Sequence, residues 1–217
     1  HQVVLPMSRN SIAALAISLR KAGQDLDERA VPLMGVMAAF IFAAQMFNFQ
    51  IPGGTSGHLL GGVLAGVLLG PWAGTIVMAC VIGVQGLVFQ DGGLVAMGAN
   101  VFNMGIVGTL GGYALYRTLA AALGGELKAR LPAAAIAAWV SVEAAAILAA
   151  VQLSVSGTTA LGPALVAMAG WHALIGVGES VITVAALSFI AASRADLLEL
   201  RNLRPGRPTA TLSSELP

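Results

Sequence analysis

The chain has 217 residues, of which 57% are hydrophobic and only 10% charged, with a formal net charge of +1. An average soluble domain carries roughly 25% charged residues, and a mean hydropathy of +0.85 leaves too few polar groups to cover a surface in water. A water-soluble globule is therefore excluded, the near-neutral charge offers no handle for nucleic acid or an acidic substrate, and a lipid bilayer is the solvent that fits.

Pro and Gly divide the apolar sequence into seven predicted helices, near 10 to 22, 31 to 49, 58 to 70, 72 to 89, 99 to 117, 131 to 153 and 163 to 192. The first and third look short. Between Arg29 and Asp91 lie 61 residues without an Asp, Glu, Lys or Arg, enough for three crossings at ~20 residues each. Pro32 fits a helix start, Ile51-Pro52-Gly53-Gly54 a break and Gly70-Pro71 a tight connection, while Leu131-Pro132 and Gly162-Pro163 mark two later starts. No basic stretch followed by a short apolar run and a small-residue cleavage site opens the chain, so the first helix is expected to act as its own insertion signal. The segment after Pro205 is polar and reads as a disordered tail. The class predicted is an all-α polytopic bundle of about seven transmembrane helices over 1–198, followed by a cytoplasmic tail over 199–217.

Placing the N-terminus outside and alternating through seven crossings puts ten of the eleven Lys and Arg residues inside, leaving only Arg9 outside. The C-terminus is then cytoplasmic, and the loops 50 to 57, 90 to 98 and 154 to 162 face outward. Being rich in Gly, Thr, Ser, Asp and Asn, these loops are where a binding site is to be sought. Gly62, Gly66 and Gly70 recur every four residues, as do Gly35, Ala39 and Ala43. Such small faces let helices approach closely, within the chain or against a separate membrane subunit. The single cysteine, Cys80, excludes an intramolecular disulfide and reads as a small buried hydrophobe.

Three histidines occur, His1, His58 and His172. His58 follows Pro52-Gly53-Gly54-Thr55-Ser56-Gly57, a loop able to enter the protein from outside and set the imidazole at a helix start. A neutral imidazole there suits Co, Ni, Cu or Zn, the alternative being a histidine at the membrane interface. At the chain start a free α-amine, a backbone nitrogen and an imidazole would together make the all-nitrogen, square-planar set that favours Ni(II) or Cu(II). Taken alone, His1 reads more simply as a tag remnant or a chance residue. Glu143 and Glu179 fall inside predicted helices, where a central charge costs ~2.5–3.5 kcal/mol and usually has a partner in the bundle interior. Glu179 lies seven residues after His172, two turns along one face, in a polar seam that Gln45, Gln85, Asn48, Asn100 and Asn103 can join. No Walker phosphate loop, Ser-His-Asp spacing or HExxH motif is present, so ATP hydrolysis is not expected of this chain.

The run Asn48-Phe49-Gln50-Ile51-Pro52-Gly53-Gly54-Thr55-Ser56-Gly57-His58-Leu59-Leu60-Gly61-Gly62 resembles the CbiM/NikM family, the substrate-binding components of cobalt and nickel energy-coupling factor transporters. Leu69-Gly70-Pro71-Trp72-Ala73, Phe89-Gln90-Asp91-Gly92-Gly93, Gly98-Ala99-Asn100-Val101-Phe102-Asn103-Met104 and His172-Ala173-Leu174-Ile175-Gly176-Val177-Gly178-Glu179 follow in family order, so the resemblance runs from the second helix to about residue 198. It implies a multi-pass protein of the prokaryotic plasma membrane that captures Co(II) or Ni(II) from outside as transported substrate, with no permanent cofactor, in service of cobalamin biosynthesis if the ion is cobalt. The implied partners are a transmembrane coupling subunit, ATP-binding-cassette ATPase subunits that carry the ATP chemistry, and a small accessory membrane protein. The resemblance also implies the metal ligands: the amino terminus, backbone nitrogen and imidazole of an N-terminal histidine, here His1, and the imidazole of His58. Asn48, Asp91, Asn100, Asn103, His172 and Glu179 fall in the matching segments and take a supporting role. The start His1-Gln2-Val3-Val4-Leu5-Pro6 departs from the family's Met-His-Ile-Pro pattern. Two other classes stand beside this one: a secondary transporter or channel working without an ATPase, for which inverted repeats are not visible, and an intramembrane enzyme built on His172 and Glu179, which lacks a nucleophile.

Overall fold

A computed structural model gives the structure of residues 4–26, 30–51, 55–194 and 197. His1, Arg29 and the tail expected over 199–217 lie outside the described residues. In chain order the elements are α1 (Val4–Asp25), α2 (Ala30–Gln45), the strands β1 (Phe49–Ile51) and β2 (Thr55–Gly57), α3 (Gly62–Leu69), α4 (Pro71–Val88), α5 (Gly93–Asn100), a π-helical stretch (Val101–Gly111), α6 (Gly112–Ala122), α7 (Leu127–Val155) and α8 (Leu161–Ser193). Because α5, the π stretch and α6 run on without a break, these form seven helical columns among the described residues. Four of them, over 71–88, 93–122, 128–155 and 161–193, are long and apolar enough to cross a membrane, and α2 is a shorter apolar helix. Val166, Leu174, Val177 and Val181 form an exposed apolar stripe along α8, while Ala164, Met168, His172, Gly176, Glu179, Thr183 and Leu187 form its buried stripe. The outer face is apolar while the polar side chains of the helix, His172, Glu179 and Thr183, face inward, and that pattern belongs to a helix in lipid.

The helix boundaries shift for local reasons. α1 is longer than expected, and α2 ends at Gln45 because the residues after it pair as a hairpin, Phe49 opposite Gly57 and Ile51 opposite Thr55. The third helix starts at Gly62 rather than 58 because Gly61 adopts φ +77, a left-handed conformation through which an α-helix cannot propagate. His58 consequently sits in a non-helical segment ahead of the helix and not at a helix start. The expected outward loop over 90 to 98 is mostly α5, and only a turn at 89–92 remains, with Gln90 and Gly92 both at positive φ. α7 opens at Leu127 and carries Pro132 inside it. Its first turn is already fixed, the N–H groups of Ala129 and Arg130 donating to the Glu126 carbonyl.

Small residues hold the bundle together. All eight residues of α3 are buried, and at 1.5 Å per residue the helix spans only about 12 Å, so it is a half-helix enclosed by its neighbours. A Cβ added at Gly62 would lie 3.0 Å from the Gly108 backbone, one at Gly66 3.1 Å from Tyr113 Cβ, and one at Gly112 2.6 Å from Val63 Cγ2. The Gly62/Gly66 face is thus spent on packing within the chain. Gly35, Ala39 and Ala43 lie exposed, as does Cys80, which faces outward rather than being buried as expected. Ala133, Ala134, Ala137, Ala138 and Ala150 on α7 are all fully buried, and beside them Gly176 of α8 receives the Trp139 ring, whose Nε1 donates to the Ala173 carbonyl at 3.0 Å.

The two ends of the bundle differ. The hairpin, the 89–92 turn and the α7–α8 connection share one end, and Ser11 near the start of α1 joins them by donating to the Gly98 carbonyl of α5 at 2.7 Å. Following each helix from that end places Arg20, Lys21, Arg117, Lys128, Arg130 and Arg194 toward the other, with Arg9 alone among the described basic residues near the hairpin.

Candidate metal centre

After the hairpin the chain crosses residues 58–60 without helical structure. Backbone polar groups at such depth must be satisfied inside the protein. Glu179, on the buried stripe of α8, does most of this. Its carboxylate accepts the Leu60 N–H at 2.9 Å and the Gly61 N–H at 2.6 Å, 119 and 118 residues away in sequence. The carbonyl of Leu60 in turn accepts the Gln45 side-chain amide of α2 at 2.6 Å. Two helices thereby buckle the segment that carries His58. Gly57 fits closely at the entrance: a Cβ there would lie 2.6 Å from Ile175 Cδ1, 2.8 Å from Ile51 Cδ1 and 3.3 Å from His172 Cε1, so the ends of the two isoleucine side chains would have to move.

The buckled segment opens onto a cavity of about 320 Å³ at the hairpin end, lined by His58, His172, Asp91, Asn100, Asn103 and Gln152 among others. His58 Nδ1 lies 2.7 Å from the Leu59 carbonyl. A carbonyl only accepts, so Nδ1 carries the proton and Nε2 keeps the lone pair. That is how metal-binding histidines are usually oriented. Across the cavity, Asn103 of the π stretch and Gln152 of α7 exchange hydrogen bonds of 2.9 and 2.8 Å. Gln85 adds a buried side-chain nitrogen with no hydrogen-bond partner among the described residues. In the π stretch that carries Asn103, the Thr109 hydroxyl donates to the carbonyl of Met104, five residues back, at 3.2 Å.

Of the expected site residues, His58, Asp91, Asn100, Asn103 and His172 come together around this one cavity. Asn48 and Glu179 do not line it. Asn48 donates to Asp91 Oδ2 at 3.4 Å and ties the start of the hairpin to the 89–92 turn, while Glu179 acts on the backbone behind His58. His1 lies outside the described residues. Sequence reasoning missed Gln152, although it is the one carboxamide in the apolar run of α7, and missed Ser56, Ser156 and the thioethers of Met104 and Met168, which also line the cavity. Among the described residues no group of three or more His, Cys, Asp and Glu is arranged to hold a metal ion.

A family profile described as the cobalt uptake substrate-specific transmembrane region, CbiM, matches residues 1–197. A protein of Archaeoglobus fulgidus, provisionally named as the fused nickel transport protein NikMN, is 46% identical over 198 residues, covering 91% of this chain and 64% of that protein. The chain thus spans less than two thirds of that relative's length. A protein of Haloquadratum walsbyi, provisionally named for metal transport, is 40% identical over 199 residues, covering 90% of this chain and 89% of its own. The crystal structure of a truncated transition metal transporter superposes with a TM-score of 0.81 at 32% identity, covering 88% of this chain and 94% of that one. With its whole helical bundle inside the matched region, this membrane protein belongs to the CbiM family of cobalt-uptake, substrate-specific transmembrane proteins.

Proposed function

We propose that the chain is the substrate-capturing subunit of an ATP-driven Co(II) or Ni(II) uptake system in the prokaryotic plasma membrane, with the ion as substrate rather than resident cofactor. The observation that carries the proposal is the His58 imidazole, its Nδ1 proton committed to the Leu59 carbonyl and its Nε2 left for the cavity. Imidazole nitrogen suits Co(II) and Ni(II), and in this reading the imidazole of His1, ahead of α1, supplies a further nitrogen donor. The packing of α1 supports that role. Ser11 binds the Gly98 carbonyl, and Ala96, Ala99 and Asn100 of the same helix line the cavity. Three residues ahead of Val4 have a reach of up to about 10 Å when extended.

The basic residues gathered away from the cavity end support an outward-facing cavity, with the N-terminus outside and the C-terminus cytoplasmic. In this reading ATP hydrolysis belongs to ATP-binding-cassette partner subunits, which act through a transmembrane coupling subunit, with a small accessory membrane protein completing the assembly. Supply of the ion to cobalamin biosynthesis is the role if the ion is cobalt. Equilibrium dialysis of the purified protein against Co(II) and Ni(II) tests the reading. His58→Ala should abolish saturable binding, and unchanged affinity would remove the proposal.

A further inference from the structure

We infer that the mouth of the cavity is sunk in a lipid leaflet, the rim residues Phe47, Phe49 and Phe89 lying among acyl chains at the edge of the hydrocarbon core. The inference concerns what surrounds the rim and not what enters it, so it stands apart from the metal-capture reading. α4 has 18 residues, about 27 Å at 1.5 Å per residue, close to the ~30 Å of a hydrocarbon core. A bilayer that covers this helix therefore ends at Phe89, the residue that caps it. Phe89 packs against Phe42 near the end of α2, with ring centroids 5.3 Å apart, and that contact brings the two helix ends to one level. Beyond α2 the chain continues through Phe47 and Phe49, which are 71% and 56% exposed, and Phe89 is 51% exposed.

The rim is two-faced. Ser56, His58, Asp91 and Gly92 line the cavity, while the phenylalanines, and Leu94 and Val95 in the first turn of α5, are exposed. A segment polar on one side and apolar on the other lies in a membrane interface with its apolar face at the acyl boundary. The exposed apolar side also runs on from Val84, Leu87 and Val88 of α4, a helix long and apolar enough to cross the membrane. Left in water, these side chains would form an uncovered patch of the kind that soluble surfaces avoid. A protein docking from the water phase meets a polar rim around an apolar centre. Here only Asn48 and Gln50 stand between the α2 end and Ile51, both uncharged, and Asn48 is turned to Asp91 at 3.4 Å. Acyl chains are the occupant that fits, and an ion bound at His58 would enter at the level of the lipid headgroups.

Spin labels on the full chain in lipid nanodiscs test this. In a Cys80→Ala background, which removes the exposed native thiol, single labels are placed at Phe47→Cys and Phe49→Cys. Val177→Cys on the exposed stripe of α8 and Thr158→Cys in the α7–α8 connection serve as references. Collision with oxygen, which concentrates among acyl chains, is compared with collision with chromium oxalate, which stays in water. At both phenylalanine positions the ratio of oxygen to oxalate collision should be several-fold above that at Thr158, approaching that at Val177. A ratio as low as at Thr158 overturns the inference, since the rim would then stand in water. Low collision with both reagents overturns it as well, because that marks a face covered by protein, a second copy included. Should either variant not fold, Val95→Cys is read in the same way. No metal enters the measurement, so its failure leaves the reading of His58 intact, and failure of that reading with His58→Ala leaves the rim in lipid.

Discussion

The two halves of the bundle are held by different forces. Around α3, α6 and the first half of α7, contact is between small residues: Gly62 against Gly108, Gly112 against Val63, and a face of fully buried alanines on α7. At the hairpin end, contact is through polar groups far apart in sequence: Glu179 with the backbone of Leu60 and Gly61, Gln45 with Leu60, Asn103 with Gln152. In lipid no hydrophobic force drives apolar helices together, so the closed half relies on close van der Waals fit. The open half has to keep a cavity and a non-helical segment, and there every backbone polar group needs a specific partner. Damage to the closed half should therefore appear as lost stability, and damage to the open half as lost binding.

Glu179→Ala should break this comparison most severely. It leaves the Leu60 and Gly61 N–H groups without their acceptor, at about 1–3 kcal/mol for each buried donor, and it frees the segment that aims His58. Thermal unfolding in detergent should fall and metal affinity should drop by ~10–100-fold, the range for outer partners of metal ligands. Glu179→Gln, which keeps one acceptor oxygen, should fall between Ala and wild type. Equal affinity in all three proteins would show that the buckle does not position His58.

Gly112→Leu acts on the other half. Its side chain must displace Val63 and Ser141, an overpacking cost of about 1–3 kcal/mol, while the folded fraction should bind metal as the wild type does. Gln152→Leu should cost about 1 kcal/mol by leaving Asn103 unpaired, and the double variant Asn103→Leu/Gln152→Leu should recover part of that loss. A simple sum of the two single effects would mean that the pair is not coupled. On the exposed stripe of α8, Val177→Ala should change stability by less than about 0.5 kcal/mol. A larger loss at Val177 would show that this face is covered by protein and not by lipid alone.

The sequence made the closed half legible more readily than the open one. Pro and Gly mark where apolar runs must stop, so seven columns could be counted, and the four-residue recurrence of Gly62 and Gly66 pointed to a close-packed face. Periodicity does not say which face a small residue presents, and Gly35, Ala39, Ala43 and Cys80 turned outward. The hairpin pairing of Phe49 with Gly57 and the left-handed Gly61 lie inside what reads as helix, loop, helix, and both depend on contacts from elsewhere. The π stretch was hidden because its residues are apolar or small on every side and carry no pattern that distinguishes it from an α-helix. His58, Asp91, Asn100, Asn103 and His172 were identified through family-like segments and do share a cavity. Gln152 was not, because one carboxamide in an apolar helix shows no partner until the fold brings Asn103 to it.

Diffraction from the metal-loaded protein at the Co or Ni absorption edge tests the central claim most directly. One anomalous peak is expected inside the cavity, at about 2.0–2.1 Å from His58 Nε2, the distance of a zinc–imidazole bond. A peak outside the cavity, or an occupied cavity whose ion is not bonded to His58, would contradict it.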